Sequence, residues 1–178
     1  MMIKHIDQKT FYDDFLPLIV ELECGQHYNP SNEQHVNWLK RRIDALCVGG
    51  GIAFGLYSEE NKPLGFLFLL FDEGLEGVRC FGKKGNIAMF GLFSEARSKG
   101  LGKLLLREAE EYIRKNGGEC LYVDTYAANS GAIRYYIKQG FIPVAYHPGE
   151  NGLDDKGQVY LYKEILGPNA QQTNAPDA

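Results

Sequence analysis

The fold class this sequence predicts is mixed α/β: one sheet with at least one parallel crossover, flanked by helices. Three observations predict it. Apolar residues near the N-terminus recur at three- and four-residue steps, the helical period. After Gly49-Gly50-Gly51 the pattern changes to short apolar runs separated by polar turns, as strands require. Beyond residue 85 the runs alternate strand, helix, strand, helix, strand, an order that needs a crossover connection.

A first strand fits Met2–Ile6. Phe11, Phe15, Leu18, Ile19 and Leu22 then fall on one helical face. Pro17 is tolerated in a first turn but not in a helix interior, so the regular helix is expected to begin near Asp13 or Asp14, whose carboxylates suit an N-terminus. Residues 25–30 read as a turn. Ser31 and Gln34 have capping-box spacing ahead of a second helix, which buries His35, Trp38, Leu39, Ile43 and Leu46 and stops before the triple glycine.

Ile52–Tyr57 and residues 64–71 flank the polar turn 58–63 and predict an antiparallel hairpin. Residues 72–85 are loop-like, with 78–81 able to extend a strand, and 86–93 form a third apolar run. Leu101, Leu104, Leu105, Ala109, Tyr112 and Ile113 make a helical stripe ended by Asn116-Gly117-Gly118. Residues 121–126 are the next strand, followed by a helix from an Asn129 N-cap to a Gly140 stop. Residues 141–146 and 158–165 are final strands around a turn-rich 148–157. This gives one domain over 1–166 and a polar, aperiodic tail over 167–178.

With 178 residues the chain can bury one core comfortably but not two. A composition of 44% hydrophobic and 24% charged residues is that of an ordered soluble protein. The net charge of −4 gives no general attraction to nucleic acid or to an anionic membrane. Cys24, Cys47, Cys80 and Cys120 form no C-x-x-C pair, which argues against a zinc knuckle or a thioredoxin-like motif. The histidines His5, His27, His35 and His147 lack ligand spacing, so no metal is expected. The start of the chain has no secretory pattern and no apolar run could span a bilayer. The expected setting is a reduced cytoplasm.

Arg97-Ser98-Lys99-Gly100-Leu101-Gly102 lies between a strand and a helix start. Two glycines let the backbone approach a ligand and turn amides toward it, and the helix start adds unpaired N–H groups. Arg97, Lys99 and Lys103 add positive charge, making an anion site suited to a diphosphate. The same residues also suit a tight strand–helix connection. The loop is not a P-loop, because no Gly-Lys-Ser/Thr closes it, nor is it a G-x-G-x-x-G dinucleotide motif.

With this loop the sequence resembles the GNAT acetyltransferase superfamily, whose Arg/Gln-x-x-Gly-x-Gly/Ala motif it matches. The segment Asn129-Ser130-Gly131-Ala132-Ile133-Arg134-Tyr135-Tyr136-Ile137-Lys138-Gln139-Gly140-Phe141 matches a second family pattern, Asn-x-x-Ala-x-x-aromatic-Tyr-x-x-x-Gly-Phe. The resemblance in detail covers residues 86–141. It implies a GNAT-like acyl-CoA N-acyltransferase fold, with a mostly antiparallel sheet, splayed parallel strands and flanking helices. It also implies an acetyl-CoA site. Backbone amides from Lys99 through Gly100, Leu101 and Gly102 to Lys103, beside Arg97 and Ser98, would take the pyrophosphate. The strand end Gly91, Leu92, Phe93 would pair with the pantetheine arm, and Asn129 would touch that arm from the other side.

Acetyl transfer to an amine moves two protons. An alkylammonium, with a pKa of about 10.4, must lose one before attack, and the CoA thiolate must be stabilised or protonated. Tyr136 occupies the family's tyrosine position and is the candidate general acid; Tyr135, beside it, is assigned to the core. The strand before the loop carries no carboxylate, so the base is unnamed; Glu21, Glu23, Asp72, Glu73 and Asp124 are the carboxylates considered. His27 and Tyr28 are candidates for an acceptor wall. The resemblance thus implies transfer from acetyl-CoA to a small-molecule or peptide amine. The alternative is a non-catalytic acyl-CoA-binding sensor or interaction module. A homodimer paired through a sheet edge is compatible with such a sheet by analogy.

Overall fold

A computed structural model describes residues 1–24, 31–71, 83–148 and 157–165, apart from the side chains of residues 23, 24, 35 and 38. The turn expected at 25–30, the strand extension at 78–81, most of the turn at 148–157 and the tail lie outside the described residues. So do the packing of His35 and Trp38 and the wall assigned to His27 and Tyr28. The strands are β1 (Met2–Ile6), β2 (Ile52–Tyr57), β3 (Pro63–Phe71), β4 (Lys83–Leu92), β5 (Gly118–Tyr126), β6 (Ile142–His147) and β7 (Gln158–Glu164). The helices are α1 (Gln8–Cys24), α2 (Glu33–Val48), α3 (Gly102–Lys115) and α4 (Ser130–Lys138). The strands hydrogen-bond in the order β1-β2-β3-β4-β5-β7-β6, with β4–β5 the parallel pair that the crossover required.

The chain forms two compact units, Met1–Leu70 with Ala88–Ala109 and Phe71–Ile87 with Glu110–Ala178. In the first, α1 and α2 lie on the β2–β3 hairpin around Phe11, Phe15, Leu18, Ile19, Leu39, Ile43, Phe66 and Phe68. Phe11 meets Phe66 and Phe68 edge-on, with ring centroids 4.9 and 5.3 Å apart, a favoured aromatic geometry.

Two helix starts differ from expectation. Helix α1 begins at Gln8, not near Asp13, and holds Pro17 in its interior. Asp7 caps it: its carboxylate accepts from the Thr10 amide at 2.8 Å and its carbonyl from the Phe11 amide at 2.9 Å. An interior proline costs about 3 kcal/mol, while each large apolar side chain taken from water contributes about 1.5–3 kcal/mol. Phe11, Phe15, Leu18 and Ile19 are all fully buried, so packing outweighs the proline. Helix α2 is capped by Asn32, whose side chain accepts from the Gln34 amide at 3.0 Å, and not by Ser31. Strands β4 and β5 each start three residues before the expected position.

In the second unit, the parallel ladder pairs Lys83–Asn86 of β4 with residues 118–122 of β5. Strand β7 then pairs antiparallel with β5 and β6. Strand β6 is an edge with Pro143 and a register shift between Pro143 and Ala145. Both features blunt edge-to-edge pairing. Cys120 on β5 is fully buried and disulfide-bonded, whereas Cys47 is a free thiol. Wide spacing in sequence excludes a C-x-x-C motif, but not a bond made by folding.

Candidate functional site

The loop between β4 and α3 has an alternating backbone. Arg97 is extended (φ −68°, ψ 158°), Ser98 is left-handed at φ 60°, Lys99 is not, and Gly100 is left-handed again at φ 74°. Left-handed residues alternating with others are a backbone pattern from which anion-binding concavities can be built. Among the described residues, the amides of Ser98, Lys99, Gly100, Leu101 and Gly102 donate to no acceptor. Those of Lys103 and Leu104 are engaged by the carbonyls of Gly100 and Leu101 at 3.1 and 3.0 Å, where α3 begins. Leu101 and Gly102 are buried and anchor the loop, while Ser98, Lys99, Gly100 and Lys103 face solvent. Neither Lys99 nor Lys103 is in an ion pair among the described residues.

Arg97 is placed differently from its two basic neighbours. Its Nε donates to the Leu92 carbonyl at 2.9 Å, and its other guanidinium end meets the Glu21 carboxylate at 2.5 Å. The side chain therefore ties the last turns of α1 to the end of β4 instead of pointing an unpaired charge at the loop. Glu21, one of the carboxylates considered as a base, is committed to the same contact. Only a fold joins these residues, 76 positions apart; no local signal pairs them.

The end of β4 has two distinct edges. The Phe93 amide donates to the Leu64 carbonyl at 3.0 Å, and a Cβ placed on Gly65 would lie 2.6 Å from the Gly91 carbonyl oxygen. Gly91 and Phe93 thus face β3 with their backbone groups, and Leu92, between them, faces the other way. Of the three residues assigned to pair with an extended ligand, Leu92 is the one whose N–H points away from β3.

In the second unit, Asn129 caps α4, its side chain accepting from the Ala132 amide at 3.1 Å. The burial of the two tyrosines is the reverse of their assignment. Tyr136 is 5% exposed, packed on Phe141 and Tyr135 with ring centroids 5.3 and 5.4 Å away, while Tyr135 is half-buried. Burial pushes the Tyr136 phenol far above its ordinary value, and the neighbouring Tyr135 and Asp124 add to the rise. Tyr135 is pushed up to about 12, by burial and then by Glu110. Both phenols hold their protons at neutral pH. Asp72 and Glu73 lie outside the described residues, and so does the side chain of Glu23. Among the described residues, no three His, Cys, Asp or Glu side chains form a group able to hold a metal ion. No described helix is long and apolar enough to cross a membrane.

Residues 12–141, which include the loop and α4, match the model of the acetyltransferase (GNAT) family. The chain belongs to that family. Over 88 residues this GNAT chain is 30% identical to YdgE, an uncharacterized N-acetyltransferase of Bacillus subtilis (strain 168). That alignment takes in 49% of this chain and 53% of YdgE, so it spans about half of the curated relative. Among solved structures, the aminoglycoside 6'-N-acetyltransferase of Enterococcus faecium superposes with a TM-score of 0.64 at 17% identity, over 93% of this chain and 98% of the other. A Bacillus subtilis acetyltransferase in complex with CoA gives 0.65 at 19%, over 92% and 98%. The ribosomal-protein-S18-alanine N-acetyltransferase of Escherichia coli gives 0.66 at 15%, over 94% and 97%. At these identities the likeness shows a shared GNAT fold.

Proposed function

We propose that this chain is an acetyl-CoA-dependent N-acetyltransferase acting on a primary amine of a small molecule or peptide. The observation that carries the reading is the row of amides from Ser98 to Gly102, unengaged among the described residues, with Lys99 in the row and Lys103 directly after it at the start of α3. Backbone N–H groups and a helix N-terminus are the groups a pyrophosphate needs. The Leu92 N–H would bond the pantetheine amide, with Gly91 and Phe93 holding that strand end in place and Asn129 a second contact to the arm. Arg97 acts by fixing the strand end. We read residues 1–166 as one acetyltransferase domain. Membership of the family supports acetyl transfer, and two structural neighbours are named as acetyltransferases of an aminoglycoside and of an alanine of ribosomal protein S18.

In the reaction the deprotonated amine attacks the thioester carbonyl carbon. The C–N bond forms, the C–S bond breaks, and the electron pair leaves on sulfur. Tyr136, held protonated by its burial, donates a hydrogen bond to that sulfur and supplies the proton that completes the thiol. The nitrogen sheds two protons in all: the ammonium loses one to solvent before attack, and the new amide nitrogen loses one after it, which restores the Tyr136 phenol. The ammonium and acetyl-CoA thus give the N-acetyl amine, CoA thiol and one proton.

The test mixes purified protein with acetyl-CoA and a panel of amines and measures free thiol. Amine-dependent thiol release is expected, with Tyr136→Phe lowering turnover while CoA affinity stays nearly constant. Full activity in the phenylalanine variant would refute the acid. Thermal stabilisation by CoA with no thiol release from any amine would identify a binding module instead.

A further inference from the structure

In the first unit, the last turn of α1 meets the end of β4 through two adjacent residues. Leu22 lies over Gly91: a Cβ added to Gly91 would stand 2.0 Å from Leu22 Cδ1. Glu21 meets Arg97 at 2.5 Å, and Arg97 Nε donates to the Leu92 carbonyl at 2.9 Å. From the other side, the Leu64 carbonyl of β3 takes the Phe93 amide at 3.0 Å. Gly91, Leu92 and Phe93 are thus each fixed by a different neighbour. Only the hold on Leu92 runs through a side chain that must itself be held.

The place of Glu21 in its helix has an electrostatic reason. A carboxylate in the last turn of a helix faces the negative end of the helix dipole and needs a cation nearby. Helix α1 has no basic residue in that turn, so Arg97 supplies the charge from 76 positions away. A guanidinium is a planar fork whose donors point in fixed directions. Pinning one end on Glu21 therefore aims Nε at the Leu92 carbonyl. In a strand the N–H and C=O of one residue point to the same side. The Leu92 carbonyl that Arg97 holds and the Leu92 N–H turned away from β3 belong to one edge.

We propose that Glu21 is a positioning residue for the cofactor arm: acting through Arg97, it orients the end of β4 so that the Leu92 N–H meets a ligand carbonyl. The inference rests on the acetyl-CoA reading, in which that carbonyl belongs to the pantetheine arm. The side chains of Arg97 and Glu21 are 44% and 51% exposed, so their pairing adds little to the stability of the fold. Its effect falls on where the strand end sits. Glu21 also draws Arg97 away from the loop amides, and losing it would free a positive charge for the pyrophosphate. Positioning and sequestration have opposite signs in CoA affinity, and the sign decides between them.

The test measures CoA binding by isothermal titration, thermal melts, and the Leu92 backbone amide resonance, all on the full chain. Glu21→Gln should weaken CoA binding by about two- to fivefold, the scale of an exposed ion pair. It should shift the Leu92 amide in the ligand-free chain and move Tm by less than about 2 °C. Glu21→Asp should keep part of the affinity. Arg97→Gln should weaken binding at least as much, and in that background Glu21→Gln should have no further effect. In the thiol-release assay the KM for acetyl-CoA should rise by the same factor in Glu21→Gln, with kcat unchanged. Unchanged or tighter CoA binding by Glu21→Gln would overturn the inference. So would an equal loss in the Arg97→Gln background, which would show that Glu21 does not act through Arg97. Should Glu21→Gln fold poorly, Glu21→Asp takes its place in both backgrounds. A natural chain that binds no CoA overturns the acetyl-CoA reading and this inference with it; a natural chain that binds CoA no better than Glu21→Gln overturns the inference alone.

Discussion

Replacing Gly100 by alanine isolates the backbone of the loop from everything else. Gly100 has φ 74°, and a Cβ added there would meet nothing within 4 Å, so steric contact contributes no cost. The left-handed backbone alone costs an alanine about 1–2 kcal/mol. Because the Gly100 amide has no partner among the described residues, the ligand-free loop can relax to negative φ and shed that strain, which then reappears when the amides must converge on a ligand. CoA affinity should fall about 5–30-fold, since each 1.4 kcal/mol is a factor of ten, with little change in Tm. Gly117 is the matched control. It has φ 75° and equally open space, but its amide is held by the Arg114 carbonyl at 3.2 Å in the turn after α3. Gly117→Ala cannot relax so freely, and should lower Tm by about 2–8 °C while leaving CoA affinity unchanged. Isothermal titration with CoA and thermal melts on both variants provide the measurements. A Gly100→Ala protein that binds CoA like the natural chain, with Tm lowered as in Gly117→Ala, would refute the role given to the converging amides.

Gly65→Ala should destabilise the protein by about 1–3 kcal/mol and weaken CoA binding severalfold. Its Cβ would lie 2.6 Å from the Gly91 carbonyl oxygen and 3.1 Å from the Leu92 Cα, backbone atoms that cannot swing aside; urea melts and CoA titration measure both effects. Asn32→Ala should cost about 1 kcal/mol in denaturant melts; an unchanged midpoint would return the cap to Ser31. Tyr12 and Tyr162 are each pushed up to about 12, first by burial and then by donating to Asp44 and Glu164. A raised folded value favours the protonated native state, so this stability is complete below about pH 10 and is lost as pH rises toward 12. The urea midpoint should fall across that window, and Tyr12→Phe should make the fall shallower.

The elements legible in the sequence are those whose cause lies within a few residues. The hairpin follows from two apolar runs flanking a polar turn, the Asn129 cap from one side chain and an amide three positions on, and the α3 stripe from its own period. The loop was legible for the same reason: glycines at Gly100 and Gly102 set the backbone freedom, and the helix start supplies the amides. The start of α1 was misread because the rule for Pro17 is local, whereas burial of Phe11 and Phe15 against Phe66 and Tyr57 is not. Ser31 and Asn32 both have capping chemistry one residue apart, and the folded backbone chose Asn32, whose side chain accepts from the Gln34 amide.

The sequence by itself determined a mixed α/β sheet with one parallel crossover and a glycine loop fit for an anion, because periodicity, caps and turns are short-range physics. Tertiary structure alone decided that Arg97 would bind Glu21 and Leu92, and that Tyr136 would be more buried than Tyr135. Each of these depends on groups brought together from distant positions by burial and strand register, and a chain read in order carries no local mark of either.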